Sequence, residues 1–104
     1  MNKKLIWLTA AGVLVCAPAL AQDAQQLLRD KACLACHSLD NKVVGPAYKD
    51  VAKKYRGRKD AEAYLVKRIR EGSTGDWGQI PMPPNTTVSE AEAHTLAKYI
   101  LSLK

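Results

Sequence analysis

The chain of 104 residues has no phenylalanine, only two methionines and three cysteines. So few large side chains leave a small domain short of core material, so it needs a further source of stability. The alternation of apolar and polar residues that marks half-buried strands is missing, and so are repeats and low-complexity tracts. No nucleophile–base pair or acid–base carboxylate pair is found, so we do not expect an enzyme.

The N-terminal apolar run is too short to cross a bilayer comfortably. Two lysines precede this run, which covers residues 5–15, and Ala19-Leu20-Ala21 follows it. The small–x–small pattern indicates signal-peptide cleavage. We therefore expect residues 1–21 to be a secretory signal peptide and residues 22–104 to be the mature domain. The alternative is an uncleaved membrane anchor.

Removal of this leader changes the cysteine count and the charge. Cys16 lies within it, and the preceding Val15 is too large for a lipid-attachment signal, so only Cys33 and Cys36 should remain. Of the 16 basic side chains 14 are left against 10 acidic ones, a formal net charge of +4. This mildly cationic chain suits an acidic docking surface on a partner.

The motif Cys33-Leu34-Ala35-Cys36-His37 is typical of c-type haem attachment. Each thiol forms a thioether with a porphyrin vinyl group, and His37 becomes an axial ligand of the iron. A zinc site would need a second cysteine pair or a well-spaced histidine pair, and His94 is the only other histidine. A thioredoxin-like dithiol belongs near a βαβ pattern, which is missing. Covalent haem c is therefore the predicted cofactor.

The second axial ligand is predicted from proline flanks. Met82, the only methionine outside the leader, lies in Ile80-Pro81-Met82-Pro83-Pro84, and prolines make such a segment stiff. A lone methionine is often core filler, but beside a haem the ligand interpretation is favoured. His94 is the rival ligand. It lies about 200° around its helix from Leu96, so we expect it to be exposed.

Apolar residues recur at helical spacing in four segments, which predicts an all-α domain. The first predicted helix begins at Asp23, with Gln26 as reciprocal cap, and the second spans residues 47–55. The third runs from the Asp60 cap to Gly72, and the fourth follows the Ser89–Glu92 capping box. Residues 72–85 hold three glycines and three prolines and are predicted to be irregular.

Taken together, these segments resemble the small bacterial class I cytochromes c, most closely the cytochrome c-551 type. The resemblance is carried by Cys-x-x-Cys-His, Val44-Gly45-Pro46-Ala47-Tyr48-Lys49-Asp50-Val51, Trp77-Gly78, Ile80-Pro81-Met82-Pro83-Pro84-Asn85 and Thr95-Leu96-Ala97-Lys98. It implies the class I cytochrome c fold, in which about four helices pack around one covalently attached haem.

The resemblance also implies roles for four further residues. The carbonyl of Pro46 would accept a hydrogen bond from His37 and fix its tautomer. Asn85 would bind the methionine sulfur, and Trp77 and Arg68 would bind the haem propionates. The helical pattern separately singles out Arg68 as the one charge on an otherwise apolar face. The alternative is a surface arginine whose stem lies along the protein.

We expect a soluble, periplasmic protein that carries one electron at a time. We also expect it to be a monomer. By resemblance, its partners would be redox proteins that dock transiently, such as a nitrite reductase, a terminal oxidase or a cytochrome c peroxidase. Two alternatives remain: a haem enzyme or gas sensor in which Met82 does not bind iron, and a haem-free thiol–disulfide protein. After cleavage no membrane insertion is expected.

The basic run at residues 53–59 resembles a nucleic-acid patch in composition, but export argues against that partner. It is interpreted as a solvated helix end whose cations complement the helix dipole. A docking role toward protein partners is the alternative.

Overall fold

Four α-helices carry the fold, and a short hairpin lies between the third and the fourth. The structure is a computed structural model that describes residues 16–104, with side chains from residue 23 onward. Its elements are α1 (Cys16–Asp30), a 3-10 turn (Cys33–Ala35), α2 (Tyr48–Tyr55), α3 (Ala61–Glu71), β1 (Ser73–Gly75), β2 (Gly78–Met82) and α4 (Glu90–Ser102). The mainly helical class is thus confirmed.

The last helix, α4, packs against α1, α2 and α3 and forms the centre of the core. Leu96 is only 1% exposed and Ile100 only 4%, as expected for residues four apart on one helical face. The predicted capping box is confirmed: the Glu92 N–H donates to Ser89 Oγ at 3.1 Å and the Ser89 N–H to Glu92 Oε1 at 2.9 Å. The start of α4 is thereby fixed.

The first and third helices depart from the predicted caps. Because α1 begins at Cys16, Asp23 lies inside the helix and does not cap it, and Gln26 donates to Asp30 instead of capping back. Asp60 precedes α3 as predicted, but its carboxylate pairs with Arg58 rather than with the helix N-terminus. Both predictions of side-chain capping were wrong: α1 extends before Asp23, and the Asp60 carboxylate is taken by the nearby Arg58.

The predicted signal peptide falls mostly outside the described residues, which exclude 1–15. The expected cleavage point after Ala21 lies within α1 and stays a prediction. Within residues 16–104 no helix is both long enough and apolar enough to cross a bilayer.

The segment predicted to be irregular contains a β-hairpin, so that prediction was wrong. Strands β1 and β2 pair antiparallel, with Gly75 opposite Gly78 and Ser73 opposite Met82. The two glycines have φ angles of 89° and 116°, which residues with a Cβ rarely adopt. Pro81 is tolerated because a two-stranded sheet has only edge strands. The hairpin brings Met82 back towards the helices.

Candidate haem site

An elongated cavity separates the haem motif from the hairpin. Cys36, His37 and Met82 all line an opening of about 350 Å³ and an adjoining one of about 380 Å³, and Cys33 lines the second. Cavities of this size hold cofactors and drug-sized ligands. The walls are mainly apolar and include Leu65, Ile69 and Ile100. The structure therefore brings together all four residues predicted to attach the haem or bind its iron.

The two cysteines are presented by a short turn of 3-10 helix. The N–H groups of Cys36 and His37 both donate to the carbonyl of Cys33, at 3.2 and 3.0 Å. Both thiols are half-buried and free. Burial is the largest influence on the Cys33 thiol and raises its pKa. The turn thus holds two thiols and one imidazole at the same cavity wall.

The orientation of His37 is fixed by the backbone beside it. Its Nδ1 lies 2.8 Å from the carbonyl oxygen of Pro46, and because a carbonyl can only accept, Nδ1 carries the proton. Burial lowers the pKa of His37 more than this contact raises it. The ring is therefore neutral with Nε2 unprotonated, the form that binds a metal.

Two further contacts confine the His37 ring. The ring of Tyr48 stacks on it, with centroids 4.5 Å apart and planes 17° from parallel. On another side, a Cβ added to Gly45 would lie 2.5 Å from His37 Cε1, which is closer than atoms can approach. Neither role was predicted from the sequence, although Tyr48 lies in the helix predicted over residues 47–55.

Met82 ends β2 and is half-buried between the hairpin and the helices. Close backbone packing holds this strand end, because a Cβ at Gly72 would lie 2.6 Å from the Met82 carbonyl oxygen. Gly72 also has a φ of 88°, which favours glycine. The methionine is therefore placed by its strand pairing and by a glycine at the end of α3.

Arg68 carries an unpaired polar group at the same cavity. Its Nε is buried and has no hydrogen-bond partner among the described residues. Buried donors are nearly always satisfied, so this N–H calls for an acceptor from a bound group. Trp77 also lines the cavity and is 40% exposed. The residues present thus fit a large apolar group with an anionic edge, as a haem is.

Asn85 is placed differently from the expectation. Its Nδ2 donates to the Lys31 carbonyl at 3.0 Å, and its Oδ1 accepts from the Thr87 backbone N–H and hydroxyl at 3.2 and 2.8 Å. In the part of the chain that is described, no hydrogen bond joins Asn85 to Met82. One of the two amide hydrogens remains free for the sulfur.

The alternative sites receive little support from the geometry. His94 lines neither opening, and its Nδ1 lies 2.6 Å from a carboxylate oxygen of Glu62 on α3. The described residues contain no cluster of three or more metal-ligating side chains. Three side chains of the basic run donate hydrogen bonds to oxygens of the protein itself, namely Lys54, Arg56 and Arg58. These cations are therefore already paired within the chain.

The chain is similar to known proteins along most of its length. The Cytochrome c family matches residues 21–104. The chain is 55% identical to cytochrome c-551 of Pseudomonas aeruginosa, covering 96% of this chain and 95% of that protein. It is 49% identical to cytochrome c-552 of Nitrosomonas europaea, covering 97% and 99%. The crystal structure of wild-type Nitrosomonas europaea cytochrome c552 matches with a TM-score of 0.76 and 54% identity, over 77% of this chain and 99% of that one.

A helical domain built around a Cys-x-x-Cys-His turn is the architecture of a class I cytochrome c. The chain belongs to the cytochrome c family and is close to cytochromes c-551 and c-552. Proteins of this type carry a covalent haem and transfer electrons, and they are not enzymes. The chain is therefore an electron-carrying cytochrome, and its partners are redox proteins.

Proposed function

We propose that the chain is a soluble periplasmic carrier whose haem c is attached through Cys33 and Cys36 and whose iron is bound by His37 and Met82. The observation that carries this proposal is that a neutral, oriented imidazole and the sole methionine outside the leader line one cavity. When bound, the haem supplies a reversible one-electron couple between Fe(II) and Fe(III). Ligation by His37 and Met82 would raise its potential and would leave no position for a substrate.

The surrounding residues would tune and hold the group. Pro46 keeps the proton on Nδ1 of His37, which leaves the other ring nitrogen for the metal. Arg68 would donate its unpaired N–H to a propionate, and Trp77 would contribute its indole N–H. Asn85 would use its second amide hydrogen for the sulfur of Met82.

The predicted leader and the exposed apolar residues at the cavity support the proposed location and partners. The predicted leader supports export, and N-terminal sequencing of the purified protein should start near Gln22. Val44 and Ile80 line the cavity and are 49% and 70% exposed, which gives an apolar rim for brief docking. We propose a monomer that meets a nitrite reductase, a terminal oxidase or a cytochrome c peroxidase, and that binds neither nucleic acid nor membrane.

The proposal is tested by optical spectra and potentiometry of the haem-loaded protein. In both Met82→Leu and Met82→Ala we expect loss of the weak far-red band that methionine gives with Fe(III). The midpoint potential should fall by on the order of 100 mV, since axial ligands move haem potentials over about 0.8 V. Met82→Leu keeps the side-chain volume, so its change reports the sulfur. His94→Gln is the control and should leave the spectrum unchanged.

Two outcomes would contradict the proposal. If both Met82 variants keep the wild-type spectrum and potential, and the wild type binds CO readily at neutral pH, an open haem site is correct. If a denaturing gel shows no covalent haem, the thiol–disulfide alternative built on Cys33 and Cys36 is correct instead.

A further inference from the structure

The hairpin turn that carries Trp77 has little to hold it in place by itself. Strands β1 and β2 have three and five residues, and an isolated two-stranded hairpin is marginal in water. Glycines flank Asp76 and Trp77 on both sides, and they add conformational freedom to the unconstrained turn. The indole is nevertheless placed at the cavity. Contacts from outside the hairpin must therefore fix the turn.

One such contact comes from α2. The ammonium group of Lys54 donates to the carbonyl oxygen of Asp76 at 2.8 Å. The same nitrogen lies 4.4 Å from the centroid of the Trp77 ring, within the range of a cation–π interaction. Lys54 therefore binds both residues of the turn at once.

A second contact comes from α3. The hydroxyl of Tyr64 donates a hydrogen bond to Oδ2 of Asp76. This bond is the largest influence that lowers the pKa of Asp76, and together with burial and the neighbouring Tyr55 it raises the pKa of Tyr64 to about 12. The other groups that lower the pKa of Asp76 are Ser73, Arg68 and Lys54. The carboxylate is thus ionised near neutral pH, and Tyr64 keeps its proton.

Arg68 lies beside Tyr64 and keeps a buried N–H without a partner among the described residues. Its guanidinium carbon lies 5.3 Å from the centroid of the Tyr64 ring, but among the described residues it forms no ion pair with Asp76. Tyr64 occupies Oδ2 of Asp76, and the buried Nε–H of Arg68 has no partner among the described residues, so it is available to another acceptor. Trp77 of the turn and Arg68 therefore both line the same cavity.

We propose that Lys54 and Tyr64 are positioning residues that hold Asp76 and so fix Trp77, and keep Arg68 free, for the anionic edge of the haem. This inference rests on the proposed haem site and deepens it. Neither residue binds the haem. Each acts through the turn, and together they join it to two different helices.

The experiment compares Tyr64→Phe and Lys54→Met with matched controls in the haem-loaded protein. One control is Tyr99→Phe, which removes a hydroxyl that accepts a hydrogen bond from Gln25 and lies away from the turn. The other is Lys53→Met, which removes one positive charge at the preceding position. Trp77 is the only tryptophan outside the leader, so its indole N–H gives a single NMR signal. We expect it to exchange about fivefold faster in each test variant, as for loss of one hydrogen bond. The controls should match the wild type.

The midpoint potential supplies a readout that stability alone would not move. Lys54→Met should shift the potential further than Lys53→Met, although both lose one positive charge, while Lys54→Arg should restore the wild-type exchange rate. Tyr64→Phe combined with Asp76→Asn should exchange no faster than the faster single variant, because both remove the same contact.

The possible failures are distinguishable. Haem-loaded Tyr64→Phe and Lys54→Met proteins with wild-type indole exchange and potentials equal to their controls would overturn this inference and leave the proposed function intact. A wild-type protein without covalent haem would overturn the proposed function, and this inference with it.

Discussion

The two sides of the cavity are built from contacts of very different range. On the histidine side, His37 is held by Pro46, nine positions away in the chain, and by its close neighbours Gly45 and Tyr48. On the methionine side, the contacts that fix the hairpin and the following loop join residues 22 and 54 positions apart. The first side is encoded locally, whereas the second depends on the assembled helices.

The largest expected effect comes from removing the haem, which both sides of the cavity would contact. We expect the Cys33→Ala/Cys36→Ala double variant to lose its near-UV circular dichroism and its cooperative unfolding. An empty cavity of about 350 Å³ would cost up to on the order of 8 kcal/mol, an upper value because the cavity opens to solvent. Domains are stable by only about 5–15 kcal/mol in total.

The single variant Cys33→Ala is the control, because one thioether remains and the fold should survive. A native-like near-UV spectrum from the haem-free double variant would show that the helices pack without the cofactor.

A second prediction breaks the histidine side alone. In Gly45→Ala the new methyl group would lie 2.5 Å from His37 Cε1 and 2.9 Å from Nδ1, so the ring must move away from Pro46. Overpacking of this kind costs about 1–3 kcal/mol. We expect a lower unfolding temperature and a shifted NMR signal of the Nδ1 proton.

Gly57→Ala is the matched control, since nothing lies within 4 Å of a Cβ there. If the two variants unfold at the same temperature, the close approach of Gly45 to the ring has no energetic weight.

The same contrast explains what could be predicted from the sequence. Helix α4 was predicted with its capping box because both depend on residues three or four apart. The motif at Cys33 and His37 is equally local. Arg68 was singled out as a charge on an apolar helical face, and its buried Nε agrees with that pattern.

Features that depend on distant residues were missed. The hairpin at Ser73–Gly75 and Gly78–Met82 lies in a segment whose glycines and prolines predict no regular structure. Its turn is contacted by Lys54 of α2 and Tyr64 of α3, and no local pattern contains such contacts. Asn85 was assigned by resemblance to the methionine alone, yet its partners include Lys31, 54 positions away. Such pairings become visible only once the helices are assembled.

A third prediction concerns the backbone of the histidine side, at the residue that precedes Cys33. Ala32, just before the haem motif, has a φ of 61° and is the only non-glycine residue with positive φ in the described chain. This conformation costs a residue with a Cβ roughly 1–2 kcal/mol, part of which glycine loses again through its greater freedom when unfolded. We expect Ala32→Gly to stabilise the protein by about 0.5–1 kcal/mol in denaturant unfolding.

The exposed Ala63, in the first turn of α3, supplies the opposite control, because glycine there should destabilise by up to about 1 kcal/mol. Equal changes of the same sign in the two variants would contradict a strained backbone at Ala32.

The smallest expected effect lies on the methionine side and depends on pH. The ammonium group of Lys31 donates to the Thr87 carbonyl at 2.9 Å and lies 3.5 Å from a carboxylate oxygen of Glu92. The Ser89 backbone N–H, and then Lys31, lower the pKa of Glu92 below its ordinary 4.5. Because the folded pKa is the lower one, this stabilisation is complete above about pH 4.5 and is lost as the pH falls through the folded pKa.

We therefore expect Glu92→Gln to be less stable than the wild type at neutral pH, with the difference narrowing as the pH falls from about 5 to about 3. Urea unfolding is the appropriate measurement, because an ionic denaturant would screen these exposed charges. Glu90→Gln removes a carboxylate from the same helical turn without breaking a cap, so its curve should converge less. Wild-type and Glu92→Gln curves that stay parallel across this range would show that the loop is held without help from the Glu92 charge. The methionine side would then be less sensitive to the distant helices than its hydrogen bonds indicate.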